Sequence, residues 1–269
     1  MRVPIYQVDA FAVRKFGGNP AAVMPLQAFP DDAVLQAIAL ENNLSETAFL
    51  VRAGRDWRLR WFTPATEVPL CGHATLASAW VVTERLDPGC AQVVFHTLSG
   101  PLTVQRRGER FLMDFPTRPP APAEPPAGLE AALGAHPVEV LHDRFNYLVV
   151  LDSAATVRGL TPDHSALGRL EAAGVVVTTP GGVIVTAPGD QGYDCVSRYF
   201  APAKGIDEDP VTGAAHCALA PFWTARLEKT EIHAYQASAR GGEMICRVRG
   251  DRVELEGACI FYMEGEAEV

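Results

Sequence analysis

The chain has 269 residues, 48% of them hydrophobic and 20% charged, with a formal net charge of −9. That length suits two ordinary domains, and that much apolar material builds cores rather than a disordered chain. The acidic balance excludes a nucleic-acid backbone or an anionic membrane as the main partner, since both require a basic surface, and leaves a small molecule as the expected one.

Met1 to Ile5 lead straight into strand-like sequence without the apolar core of a signal peptide, and the most apolar stretch, Ala74 to Val82, is far too short to span a bilayer. Both features read as a soluble, cytoplasmic protein. Ile5 to Phe11 is the first expected strand, Gly17-Gly18-Asn19-Pro20 a turn, and Ala21 to Met24 a second strand. Pro30-Asp31-Asp32 starts a helix whose apolar face carries Val34, Leu35 and Ile38 and which ends at Asn42-Asn43. Thr47 to Val51 and Trp57 to Phe62 follow as strands. Gly72 to Leu86 reads as a helix that is small or apolar almost all round, the pattern of a helix enclosed by protein.

Val93 to His96, Leu102 to Arg106 and Phe111 to Phe115 close the first half as strands. Pro116 to Pro126 is too rich in proline to join a sheet or helix and reads as a linker. The expected division is a first domain over 1–116, a linker over 117–128 and a second domain over 129–269, whose last strand packs on the first. In the second half, strands are expected at Tyr147 to Leu151, Val175 to Thr179, Val183 to Ala187 and Cys195 to Phe200. Helices are expected from Pro162 to Ala172 and from Gly213 to Leu227, the latter kinked or shortened by Pro221. Ile245, Val248, Val253 and Leu255 mark further antiparallel strands. The cysteines, Cys71, Cys90, Cys195, Cys217, Cys246 and Cys259, form no CxxC pair, which suits free thiols better than a disulfide framework or zinc.

The two small-residue helices are introduced by related words, RWFTPA at Arg60 to Ala65 and RYFAPA at Arg198 to Ala203. Placing Glu67 on Glu208 also puts Pro69 on Pro210, Gly72 on Gly213, Ala74 on Ala215 and Ala77 on Ala218. This reads as a duplicated strand–loop–helix unit, one copy per domain. Helix amino termini offer unpaired N–H groups and partial positive charge, so the two junctions suit a ligand carboxylate.

Three ionisable residues lie in or beside these junctions. Glu46, in NLSETAF, is the candidate general acid and base, with a capping or surface role as the alternative. His73 orients a carboxylate, shuttles a proton or is structural. Asp209 holds His73, binds a substrate amine or hydroxyl, or caps the second helix. Cys71 precedes Gly72, where a helix amino terminus would lower its pKa. Its repeat counterpart is Thr212, so a two-thiol racemase lacks its second thiol, and Cys217 lies one turn too late.

At these junctions the sequence resembles the PhzF family of phenazine-biosynthesis-like proteins, whose fold is shared with diaminopimelate epimerase. The words that carry the resemblance are VDAFAVRKFGGNPAAV, NNLSETAFL, LRWFTPATEVPLCGHATLASAW, SRYFAPAKGIDEDPVTGAAHCAL and RGGE, together spanning nearly the whole chain. It implies an α/β (α+β) fold of two pseudo-symmetric domains, each a twisted sheet or barrel around a central helix, with the active site between them. It also implies a homodimer, no metal and no organic cofactor. Glu46 matches the family's proton-transferring glutamate, His73 its histidine and Asp209 its aspartate. Ser45, Cys71, Gly72, Thr212, Gly213 and Ala214 are the expected substrate-binding positions. In the phenazine enzyme these groups isomerise trans-2,3-dihydro-3-hydroxyanthranilate, the glutamate moving a proton from C3 to C1. One departure is Ala214, where that enzyme has a serine, so the reaction class carries over better than the substrate.

The leading expectation is a cofactor-independent proton-transfer isomerase acting on a small carboxylate-bearing, cyclic or amino-acid-like molecule. The alternatives are an epimerase or racemase using Cys71, and a non-catalytic metabolite-binding or protein-interaction module.

Overall fold

The computed structural model describes residues 2–170 and 181–269. The strand expected at Val175 to Thr179, and the end of the helix expected from Pro162 to Ala172, lie outside the described residues. The chain divides into unit 1, residues 1–114 with 255–269, and unit 2, residues 115–254.

Unit 1 begins with β1 (Arg2–Ala10), β2 (Asn19–Leu26), α1 (Asp32–Asn42), β3 (Glu46–Ala53), β4 (Asp56–Phe62), β5 (Glu67–Val68), α2 (Gly72–Val81), β6 (Gln92–Thr97), β7 (Gly100–Arg107) and β8 (Arg110–Pro116). β1 and β2 are antiparallel, β2 and β3 parallel across α1, β3 and β4 antiparallel, and β4 and β6 parallel across α2. α1 buries Leu35, Ile38 and Ala39, spaced to share one face, against Met24, Phe49 and Phe62. Val34, expected on that face, is exposed, because the stripe falls one residue later. α2 is buried from His73 through Ala79 and packs on β1, β2, β3 and β7. Its small side chains are what let a helix fit inside a curved sheet. A π-turn at Val82–Leu86 completes the helical run expected to reach Leu86.

Unit 2 contains β9 (Ala121–Pro122), α3 (Leu129–Leu133), β10 (Glu139–His142), β11 (Asn146–Val150), α4 (Ala154–Gly159), α5 (His164–Leu167), β12 (Gly182–Pro188), β13 (Cys195–Phe200), α6 (Gly213–Leu227), β14 (Glu231–Gln236) and β15 (Gly242–Arg249). β10 and β11 are antiparallel, β11 and β12 parallel, β12 and β13 antiparallel, and β13 and β14 parallel across α6. This succession of pairings, antiparallel, parallel, antiparallel and parallel, repeats that from β1 to β6 in unit 1. β9 corrects the expectation that the proline-rich segment joins no sheet. Ala121 and Pro122 pair with His142 and Leu141 at the sheet edge, where a strand can do without proline's missing N–H.

α6 has the expected bounds, and Pro221 within it does not shorten it. Proline cannot donate to Cys217 O one turn back, and the Arg118 backbone N–H takes that place at 2.8 Å. On β15 the inward face carries Met244 and Cys246, while Ile245, one residue out of phase, is only half-buried.

β16 (Arg252–Glu268) returns the chain to unit 1, where it pairs antiparallel with β1 from Arg2 opposite Glu268 to Ala10 opposite Cys259, with a bulge at Gln7/Val8. β16 also neighbours β8, so β1, β2, β3, β4, β6, β7, β8 and β16 close an eight-stranded barrel. The fold is thus mixed α/β, a β-barrel around an apolar helix in unit 1 and a topologically matching sheet with α6 in unit 2. No helix among the described residues is long and apolar enough to cross a membrane.

The duplication extends to one pair of side chains. In unit 1, Arg60 Nε and Nη2 donate to the two oxygens of Glu67, both at 2.7 Å. In unit 2, Arg198 Nε and Nη2 donate to Glu208 at 2.7 and 2.8 Å. Each bidentate pair fastens the end of the strand to the loop that leads into the buried helix, across a loop of different length in the two copies.

Candidate active site

In unit 1 three chain elements begin at one end of the barrel. Asn19 opens β2, Glu46 opens β3, where Ala21 lies opposite it, and Cys71 is the N-cap of α2. Gly18 makes the first possible. Its φ is +72°, and a Cβ there would lie 2.4 Å from Ala10 O, so only glycine turns the chain tightly enough to set Asn19 where it stands.

These starts converge on His73, in the first turn of α2. Its Nε2 stands 3.0 Å from Glu46 Oε2, and the two side chains are 6% and 12% exposed. On the other side of the ring, Nδ1 meets Asn19 Nδ2 at 3.2 Å and Cys71 Sγ at 3.5 Å. Ser45 is half-buried beside Glu46, as is Gly72 beside His73. Cys71 corrects an expectation. Burial pushes its thiol above the ordinary range, and Glu46 pushes it further, which outweighs the helix terminus and the His73 contact. A neutral buried thiol is a poor nucleophile or base.

Glu46, Cys71 and His73 present ligand-type atoms within 4.8 Å of one another. The imidazole nitrogens already face different partners, Glu46 at Nε2 and Cys71 at Nδ1. Each contact joins a proton donor to a proton acceptor, which suits proton handling.

In unit 2 the corresponding junction is a hydrogen-bonded loop. Thr212, the N-cap of α6, donates its hydroxyl to Asp209 Oδ2 at 2.5 Å, and its N–H goes to Gln236 Oε1 at 2.8 Å. Gln236 Nε2 in turn holds Asp209 O at 2.8 Å. Asp209 is half-buried, Gly213 is buried, and Ala214 is exposed with its carbonyl bonded by the Arg118 guanidinium. Gln236 gave no signal in the sequence, because it sits at the end of an ordinary strand. Asn19 was hidden inside a turn signal.

The two copies are unequal where chemistry is concerned. Phe49 pairs with Arg60 and Val185 with Arg198, so Glu46 and Gly182, each opening its strand three residues upstream, occupy matching positions. A Cβ at Gly182 would lie 2.3 Å from the Tyr199 hydroxyl, which leaves no room for a carboxylate side chain there. His73 matches Ala214, and Cys71 matches Thr212. One half carries a buried carboxylate–imidazole pair. The other carries none at the same positions.

The family described as phenazine biosynthesis-like protein matches residues 8–265 of the chain. An uncharacterized isomerase of Pseudomonas aeruginosa is 51% identical over 265 residues, with 98% of each chain covered. The phenazine biosynthesis-like domain-containing protein 1 of Mus musculus is 39% identical over 288 residues, with 98% of this chain and 99% of that one covered. Among solved structures, a PhzF-family phenazine biosynthesis protein of Enterococcus faecalis superposes with a TM-score of 0.94 at 45% identity, over the whole of both chains.

Proposed function

The chain belongs to the phenazine biosynthesis-like protein family and is an isomerase of the PhzF type, and on that premise we propose that it moves one proton within a small carboxylate-bearing molecule, with Glu46 as sole carrier. Glu46 in carboxylate form takes a proton from a carbon of the bound substrate and returns it to another carbon on the same face. His73 holds Glu46 through Oε2 and orients the carboxylate. The first-turn amides at Gly72 receive the substrate's carboxylate.

The observation that carries this reading is the inequality of the two repeats: Glu46 is paired with His73 at 3.0 Å, whereas its match is Gly182 and the match of Cys71 is Thr212. Inversion at one carbon requires an acid and a base on opposite faces. A proton shift on one face requires a single carrier, and that is what unit 1 supplies. The high thiol pKa of Cys71 weighs in the same direction. A cyclic or amino-acid-like substrate is proposed, and exposed Ala214 leaves it without the hydroxyl contact of the phenazine enzyme.

The test is label transfer. trans-2,3-Dihydro-3-hydroxyanthranilate deuterated at C3, and a panel of amino and cyclic acids deuterated at the acidic carbon, are incubated with the protein in ordinary water. Product that keeps part of the deuterium at its new carbon supports a single internal carrier. Product in which the label is wholly lost, or a substrate that is epimerised without migration, contradicts it.

A further inference from the structure

His73 is pulled in opposite directions. Burial disfavours its charged form, while a charged Cys71 and Glu46 favour it and together would hold its pKa well above the ordinary imidazole value. The two influences of the cysteine do not fit together, however. Burial keeps the Cys71 thiol protonated, and a neutral thiol supplies no negative charge to lift the imidazole. Only Glu46 remains on that side. The contact that decides the matter is on the other nitrogen, where Asn19 Nδ2 lies 3.2 Å from Nδ1. An amide N–H2 can only donate, so the nitrogen it faces carries a lone pair. The Cys71 thiol, 3.5 Å from the same Nδ1, is a second donor aimed at it.

We propose that Asn19, assisted by the Cys71 thiol, is a positioning residue that holds His73 as the neutral tautomer with its proton on Nε2. That proton is then donated to Glu46 Oε2 at 3.0 Å. Glu46 Oε2 and His73 Nε2 are both wholly buried, face each other at 3.0 Å and have no other hydrogen-bond partner among the described residues, so the proton in transit is left to Oε1. In this way Asn19 selects which carboxylate oxygen does the chemistry without touching the substrate. The inference rests on Glu46 being the proton carrier for its catalytic meaning, though not for the tautomer itself.

The experiment is a long-range 1H–15N correlation spectrum of the full chain, labelled with 15N-histidine, at pH 7 and without substrate, with His73 assigned by its loss in His73→Gln. The result expected is the neutral Nε2–H pattern. An imidazolium pattern, or a proton on Nδ1, would overturn the proposal, since either requires Asn19 to present its carbonyl oxygen to the ring. Asn19→Asp provides the second reading. A carboxylate accepts at Nδ1, so the ring converts to the doubly protonated form at pH 7 and the kcat of the label-transfer reaction falls with KM nearly constant. Should His73 keep the neutral pattern in folded Asn19→Asp, Asn19 does not set the tautomer. The spectrum is recorded without turnover, so it stands or falls separately from the functional reading.

Discussion

His216, on α6 one turn beyond the unit 2 junction, ties acid stability to that junction. Its side chain is fully buried, and Nδ1–H donates to Thr212 O at 2.8 Å. Nε2 is buried and has no hydrogen-bond partner among the described residues, so the ring can take a second proton only as an unsolvated charge. Burial accordingly lowers its pKa from 6.5 to about 4. The unfolded chain binds the proton first on acidification, so this histidine costs the fold nothing above pH 6.5 and a growing amount below it. A depression of that size corresponds to a loss of about 3 kcal/mol by pH 4. Urea unfolding followed by tryptophan fluorescence between pH 7.5 and 4 measures it against His216→Gln, which keeps an N–H donor and cannot charge. The wild type should lose about 3 kcal/mol more than the variant over that interval. Parallel stability curves would refute the reasoning, because they would mean that His216 charges as easily in the folded protein as in the unfolded one.

Breaking a repeat clamp should be costly in an asymmetric way: Arg198→Met strands Glu208, and since the two side chains are only 11% and 19% exposed, thermal or urea unfolding should show a loss of about 3 kcal/mol. Adding Glu208→Gln should recover part of that loss. Gly18→Ala should destabilise by about 1–3 kcal/mol, through the positive φ and the clash with Ala10 O, and should slow the reaction by displacing Asn19. Cys71→Ser should slow proton exchange far less than Glu46→Gln does, because a buried thiol held in its protonated form is a poor base.

Much of the architecture was legible because it was written twice. RWFTPA and RYFAPA announce the same strand end, and the Arg60–Glu67 and Arg198–Glu208 pairs show why the arginine and the glutamate recur despite unequal loops. The convergence of Glu46 on His73 was approachable from sequence as two polar residues beside apolar runs. Asn19 was not, since Gly-Gly-Asn-Pro reads as a turn and its contact with His73 spans 54 positions. Cys71 failed in sign: a helix terminus favours a thiolate, but burial and the Glu46 charge act the other way and are larger. Pro221 reads as kinking or shortening its helix because the donor that replaces its N–H comes from Arg118, far away in the chain. In each miss a tertiary partner supplied what local sequence lacked.

The central claim is that Glu46 carries the proton, and deuterium uptake from D2O by substrate at equilibrium with the enzyme tests it most directly. Wild type and Glu46→Gln are compared by NMR and mass spectrometry on the same compounds, with unchanged thermal unfolding showing that the variant is intact. Uptake by the wild type and a loss of about 100-fold or more in the variant are expected, the scale of removing a general acid–base. Uptake at an equal rate in Glu46→Gln would contradict the claim and would require another residue as the base.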